Sequence, residues 1–100
     1  QMVAERIAFV AHYKQVLCIT HLPQIACMAD NHLYIAKCVK GDATVTQVTA
    51  LSDEERVREI ARMASGDDVT EAALANSREM LASAGKKKAA FQKKKKAAKK

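Results

Sequence analysis

The residue best suited to chemistry in this sequence is His21, in the stretch QVLCITHLPQIACMAD at positions 15 to 30. QVLCIT is an uncharged run typical of a short buried strand, and Pro23 stands where the first turn of a helix tolerates proline. In open α/β sheets, ligands bind outside the carboxyl ends of such strands. Position therefore favours a catalytic role for His21. The alternative is a structural histidine that caps the following helix or bonds at a surface turn.

A metal site is the second candidate, because three cysteines and two histidines lie close together in sequence: Cys18, His21, Cys27, His32 and Cys38. Their spacing matches no standard zinc pattern, and Cys18 is expected to point into the sheet. Three cysteines without a CxxC pair also argue against a closed disulfide framework and favour reduced, cytosolic thiols. We therefore expect buried thiols and no bound metal.

Other catalytic classes lack their motifs. The sequence contains no GxxxxGK[ST] phosphate loop and no apolar run that ends in paired acids for magnesium. No serine stands in a nucleophile elbow, so a hydrolase triad is unsupported. By itself, this chain should not bind a nucleoside triphosphate in the usual way.

Around His21, hydrophobic periodicity predicts the order helix, strand, helix, hairpin, helix, helix, tail. A first helix in MVAERIAFVAHYK carries its apolar stripe at Val3, Ile7, Val10 and Ala11. The strand QVLCIT follows, and then a short helix that opens at Thr20 and His21 and closes at Asp30 and Asn31. HLYIAKCV and ATVTQVTAL flank KGD, where Gly41 can supply the positive φ of a hairpin turn.

Two further helices have clear start signals. Ser52 and Glu55 fit a capping box for a helix that stops at Gly66, and Thr70 caps the next helix, which fades at Gly85. The first of them has an apolar stripe at Val57, Ile60, Ala61 and Ala64, and the second has one face formed by Ala73, Leu74, Ser77, Met80 and Leu81.

The formal charge of +6 is unevenly distributed. Residues 86–100 carry nine lysines and no acid, so the preceding residues are about −3. We expect residues 85–100 to be a disordered, low-complexity tail. Its charge could attract nucleic acid, with candidate contacts at Lys86, Lys87, Lys88, Lys93, Lys94, Lys95 and Lys96. The alternative is a solubilising or artificial tail.

The ends and surfaces of the chain suggest part of a larger assembly. The sequence begins at Gln1 inside a predicted helix, as expected for a piece of a longer chain, and no run approaches the roughly 18 apolar residues of a membrane span. There is no signal-peptide pattern. A sheet strand without its neighbours would expose edges, so we expect dimers or higher species.

QVLCITHLPQIACMAD closely resembles the switch-histidine segment of the RecN family, bacterial DNA double-strand-break repair ATPases related to the SMC proteins. The continuation LPQIA is its most specific element. The flanking segments, including LSDEERVREIARMASG and TEAALANSREMLASA, follow the order of that family's C-terminus. ARMASG departs from a more usual Leu-Gly-Gly ending. The resemblance covers residues 1–84 and leaves the tail outside.

This resemblance implies an α/β fold that is part of an ABC-type, P-loop NTPase-like ATPase head. ATP and magnesium would bind in the full-length protein, where His21 would contact the γ-phosphate and the attacking water. Thr20 and Gln24 are candidates for orienting the loop. The implied partners are the N-terminal part of the same head, a second head across an ATP sandwich, and DNA. The implied setting is the bacterial cytoplasm and nucleoid, in the SOS response to DNA damage.

Two hypotheses remain from the sequence. In the first, residues 1–84 are the C-terminal fragment of an ATPase head that is inactive in isolation. In the second, the chain is a small self-contained interaction domain with a basic nucleic-acid-binding tail and a structural His21.

Overall fold

Helices and a single hairpin make up the described part of the chain. The computed structural model describes residues 2–98, and their side chains for residues 2–91. The elements, in chain order, are α1 (Met2–Ala11), α2 (Pro23–Ala26), β1 (Leu33–Lys40), β2 (Ala43–Ala50), α3 (Asp53–Ser65) and α4 (Glu71–Ala98). The fold is therefore mixed α and β. None of the described helices is both long and apolar enough to cross a membrane.

The predicted hairpin is confirmed. Strands β1 and β2 pair antiparallel, from Leu33 opposite Ala50 to Lys40 opposite Ala43. The two-residue loop between them begins with Gly41 at a φ of +63°, while Asp42 keeps a negative φ. These signs match a type II′ turn, whose twist suits the two strands and whose first loop position favours glycine.

The predicted caps of the two later helices are confirmed as well. The Ser52 hydroxyl accepts from the Glu55 amide at 3.3 Å, and the Glu55 carboxylate accepts from the Ser52 amide at 3.0 Å. Helix α3 ends before Gly66, whose φ is +84°. The Thr70 hydroxyl accepts from the Ala73 amide at 3.1 Å and starts α4.

The core lies where the four helices meet. It is built largely from small residues: Ala4 and Ala8 of α1, Ala26 of α2, Cys27 and Met28 just after it, Ile60 of α3 and Ala84 of α4. The buried Ser77 hydroxyl donates to the Val57 carbonyl at 2.7 Å and so joins α4 to α3. Small side chains let the helices approach closely but bury little apolar area each. Ala64, expected on the buried stripe of α3, is exposed.

The strand predicted for QVLCIT is wrong. Residues 15–20 have no regular secondary structure, and β1 and β2 form a two-stranded sheet of their own. Leu17 is 85% exposed and Ile19 86%, and Cys18 is exposed rather than directed into a sheet. A strand needs backbone hydrogen bonds to a neighbouring strand on at least one edge. Within the described residues, no backbone–backbone hydrogen bond involves residues 15–20.

The buried face of α1 also differs from the predicted stripe. Ala4 and Ala8 are buried, whereas Val3 and Val10 are 61% and 45% exposed. The small alanines allow α1 to lie against α2 and α4, and this close approach turns the larger valines outward. The buried face is therefore shifted from the predicted stripe, of which Ile7 and Ala11 are half-buried and only the two valines are exposed.

Helix α4 does not end at Gly85 but continues to Ala98. Residues 86–91 are helical rather than disordered, and three of their side chains, those of Lys87, Lys88 and Phe91, contact the body of the fold. The Lys87 ammonium lies 3.0 Å from the Glu5 carboxylate, and the Phe91 ring packs edge-on against Phe9 at a centroid distance of 5.9 Å. The side chains of Lys93, Lys94, Lys95 and Lys96 lie outside the described residues.

Candidate functional site around His21

His21 lies on an exposed turn between the extended segment 15–20 and helix α2. The Thr20 hydroxyl accepts from the Leu22 amide at 3.0 Å and so closes the backbone turn across His21. The N-cap residue of α2 is Leu22, with no side-chain cap. His21 therefore does not cap the helix, and no described residue forms a hydrogen bond or ion pair with its side chain. The imidazole faces solvent.

Helix α2 follows this turn directly and is held by several backbone hydrogen bonds. The Leu22 carbonyl accepts from the amides of Ile25 and Ala26 at 3.2 and 3.1 Å, and the Pro23 carbonyl accepts from the Cys27 amide at 2.9 Å. Ala26 is buried in the core at the end of this turn. Gln24, predicted to help orient the loop, is exposed on the outer side of α2. The backbone around His21 is therefore fixed on one side by the Thr20 hydroxyl and on the other by helix α2.

The far end of α2 is held by Arg56 of α3. The Arg56 Nη2 lies 3.0 Å from the Ala26 carbonyl oxygen, 3.1 Å from that of Cys27 and 2.6 Å from that of Ala29. The last carbonyls of a helix have no partners within the helix, and a cation satisfies both their hydrogen bonding and the dipole. Lys88 of α4 adds a weaker contact of 3.3 Å to Ala29.

Sequence reasoning did not identify Arg56, because it stands among the alternating acidic and basic residues of α3, and such a pattern is typical of a solvated helix face. Arg62 fits that pattern, since its side chain is 45% exposed and lies 2.6 Å from the Glu59 carboxylate. Arg56, however, lies four residues before the fully buried Ile60. Residues four apart share a helix face. That spacing could have marked Arg56 as a residue that lies beside the core.

Two titratable groups near Arg56 are perturbed by burial. Burial raises the pKa of the Cys27 thiol, and the Arg56 charge partly opposes this. Burial lowers the pKa of His32, the Arg56 charge lowers it further, and Glu59 opposes both. The His32 Nδ1 is buried without a hydrogen bond from any described residue. Burial is the larger cause in both cases, and it favours the neutral form of Cys27 and of His32.

The residues of the metal candidate are not brought together. Cys18 is exposed and Cys27 is buried, while the Cys38 thiol lies 3.4 Å from the Gln47 side-chain oxygen on the hairpin. Within the described residues, no group of three or more His, Cys, Asp or Glu side chains could hold a metal ion.

The lysines at the start of the predicted tail differ in their surroundings. Lys87 pairs with Glu5, and Lys88 lies 3.2 Å from the Asp30 carboxylate, so part of their charge is neutralised within the fold. Lys86 is exposed. Any contact of this region with nucleic acid would therefore depend largely on Lys86 and on lysines beyond Phe91.

The sequence is similar to proteins named DNA repair protein RecN. It is 52% identical over 81 residues to the protein of Bacillus subtilis and 51% identical over 81 residues to that of Halalkalibacterium halodurans. It is also 48% identical over 80 residues to the protein of Deinococcus radiodurans. These alignments cover 80 to 81% of this chain and 14% of each relative, so the chain spans about one seventh of their length. No protein-family model matches the chain.

Proposed function

Because this chain carries a segment of the RecN family of DNA repair proteins, we propose that it is the C-terminal part of an ATPase head with His21 as the switch histidine. The observation that carries the proposal is the position of His21. Its side chain is exposed and unbonded, while the backbone on both sides is held by Thr20 and by α2. A free imidazole on a fixed backbone suits a residue that must meet a ligand from outside this segment.

The proposed role follows from the chemistry of imidazole. In its neutral form one ring nitrogen donates and the other accepts a hydrogen bond. His21 would donate to a γ-phosphate oxygen of ATP or accept from the attacking water. In phosphoryl transfer most of the catalysis is positioning and charge stabilisation, so a fixed donor matters more than a strong base. Thr20 would hold the loop backbone, and Gln24 is a second candidate for orienting it.

The rest of the active site would come from outside these residues. The sequence contains no phosphate-binding loop, and the described side chains include no cluster suited to magnesium. In the complete protein, magnesium would neutralise charge on the phosphates through ligands from other segments. We therefore expect the isolated 100-residue chain to be inactive.

The same proposal specifies partners and location. The chain would pack against the N-terminal part of its own head, and two heads would enclose ATP between them. The complete protein would act on DNA in the bacterial cytoplasm, at the nucleoid. The exposed segment 15–20 supports a missing neighbour in the sheet, because its apolar side chains Leu17 and Ile19 have no cover here.

The test uses a complete RecN protein in which the 81 matching residues of this chain replace the corresponding segment of the Bacillus subtilis relative. His21→Ala should reduce ATP turnover by about 10²-fold, the usual cost of losing one transition-state donor, while ATP binding is retained. Asn31→Ala, an exposed change beyond α2, is the matched control and should leave turnover unchanged. Normal turnover in the His21→Ala protein would overturn the assignment.

A further inference from the structure

We propose that Arg56 is a positioning residue for His21, and that it acts through helix α2. This inference rests on the proposed function of His21. The guanidinium belongs to α3, and its hydrogen bonds go to the carbonyls of Ala26, Cys27 and Ala29 rather than to the His21 side chain. Its effect on chemistry would therefore be indirect.

A continuous set of hydrogen bonds connects Arg56 to the His21 turn. Arg56 donates to the Ala26 carbonyl at 3.0 Å, and the Ala26 amide donates to the Leu22 carbonyl at 3.1 Å. The Leu22 amide in turn donates to the Thr20 hydroxyl at 3.0 Å. Thr20 and Leu22 flank His21 on its two sides. A shift of α2 would therefore move the backbone from which the imidazole projects.

Helix α2 needs this external support because it is only four residues long. Isolated helices shorter than about 12 residues are marginal in water, since nucleation costs more than a few hydrogen bonds return. Hydrogen bonds from a charged donor are also roughly twice as strong as neutral ones. Arg56 shares the two hydrogens of Nη2 among three carbonyls, which fixes the end of α2 against α3 at one point.

The first measurement separates catalysis from binding in the complete chimeric protein described above. Arg56→Met keeps much of the side-chain length but removes the charge and the donors. We expect kcat for ATP hydrolysis to fall by about tenfold to 10²-fold, as for a displaced catalytic group, with KM within about twofold. Arg58→Met is the matched control, because Arg58 is exposed on the same helix. It should leave both constants unchanged.

The second measurement is a double-mutant cycle with His21→Ala. If Arg56 acts through His21, Arg56→Met should cause little further loss of kcat once the imidazole is absent. Arg56→Lys keeps the charge and should recover part of kcat. A general loss of folded protein would instead add to the effect of His21→Ala. If the Met variant does not fold, the cycle with Arg56→Lys decides the question in the same way.

The outcomes distinguish this inference from the proposed function. Lost turnover in His21→Ala together with normal kcat in a folded Arg56→Met protein would overturn the role of Arg56 alone. Fully additive losses in the cycle would do the same. Normal turnover in His21→Ala would overturn the switch-histidine assignment, and the positioning role with it.

Discussion

At the level of single residues, the charge of Arg56 affects more than the end of α2. It lies close enough to His32 to lower the pKa of that imidazole together with burial, while Glu59 on the same helix acts in the opposite direction. His32 also supports the start of the hairpin, because its carbonyl accepts from the Leu51 amide at 3.0 Å. Protonation of His32 should therefore be unfavourable in the folded chain.

We predict that the chain loses stability as the pH falls through about 6.5, the ordinary pKa of histidine in an unfolded chain. The pKa of His32 is lowered on folding, so the unfolded state binds more protons just below that pH. Linkage then makes the free energy of unfolding decrease with falling pH, until His32 is protonated in the folded state as well. Urea denaturation at pH 7.5, 6.5 and 5.5 measures this decrease.

Two variants identify the responsible group. His32→Gln should flatten the pH dependence over this range, because glutamine does not titrate. The matched control is Asn31→Gln, an exposed substitution beside His32 that removes no titrating group, so the dependence should remain. An unchanged slope in the His32→Gln chain would assign the effect to other groups.

The sequence predicted the candidate site in part. The Pro-led helix after His21 and the capping box at Ser52 depend on residues within four positions of one another, and both were predicted, although α2 ends at Ala26 and not near Asp30. The role of His21 stays a prediction, and the strand expected before it is absent from the described residues. Arg56 is 30 residues from its Ala26 partner, and although its spacing to Ile60 places it beside the core, no local pattern identifies Ala26 as the partner. Anchoring across helices is a tertiary property that local patterns do not encode.

At the level of elements, the same contrast explains which predictions failed. The hairpin was predicted correctly because Gly41 favours the turn and the two strands pair with each other. The strand predicted at residues 15–20 is wrong because no described strand pairs with this segment. The prediction that α4 ends at Gly85 is wrong, because Lys87 and Phe91 beyond it are stabilised by contacts with α1, which is distant in sequence.

The continuation of α4 changes how its lysines should be tested for DNA binding. Truncation after Ala84 would also remove Lys87, Lys88 and Phe91, which pack against the body of the fold. A chain that ends at Phe91 keeps these contacts and lacks six lysines of the full sequence. Comparing the DNA affinity of residues 1–91 with that of residues 1–100 therefore measures the effect of the six lysines without disturbing the packing of α4.

We predict that the full chain binds duplex DNA more tightly than residues 1–91 at low salt, and that the difference shrinks as salt rises. Each phosphate contact adds about 0.9 to the slope of log affinity against log salt, so six lysines can add at most about 5. Fluorescence anisotropy across a salt series measures both slopes. Replacing the six lysines with glutamine at full length is the control for chain length. Equal affinities at low salt would exclude this region as a DNA-binding element.

At the level of the whole molecule, the described chain has a small core and a large exposed apolar surface. Its radius of gyration is 15.7 Å, compared with about 13 Å for a compact domain of 100 residues. The core is built mostly from alanines, while larger apolar side chains are exposed on the 15–20 segment and on the hairpin: Leu17, Ile19, Ile35, Val39 and Val48. Exposed apolar side chains beside unpaired backbone favour association with another chain.

We predict that the isolated chain associates into dimers or larger species through residues 15–20 of two copies. The associated fraction should rise with the concentration of the chain. Sedimentation velocity over a range of concentrations should show the change in mass. Replacing Leu17 and Ile19 together with Asn should shift the equilibrium toward monomer, because two side chains more than 80% exposed lose their gain from burial. Val48→Asn is the matched control on the hairpin, where the backbone is already paired with β1, and it should leave the mass distribution unchanged. A single monomeric species at every concentration would contradict the prediction. If only Val48→Asn abolished association, the two copies would contact each other through the hairpin and not through residues 15–20.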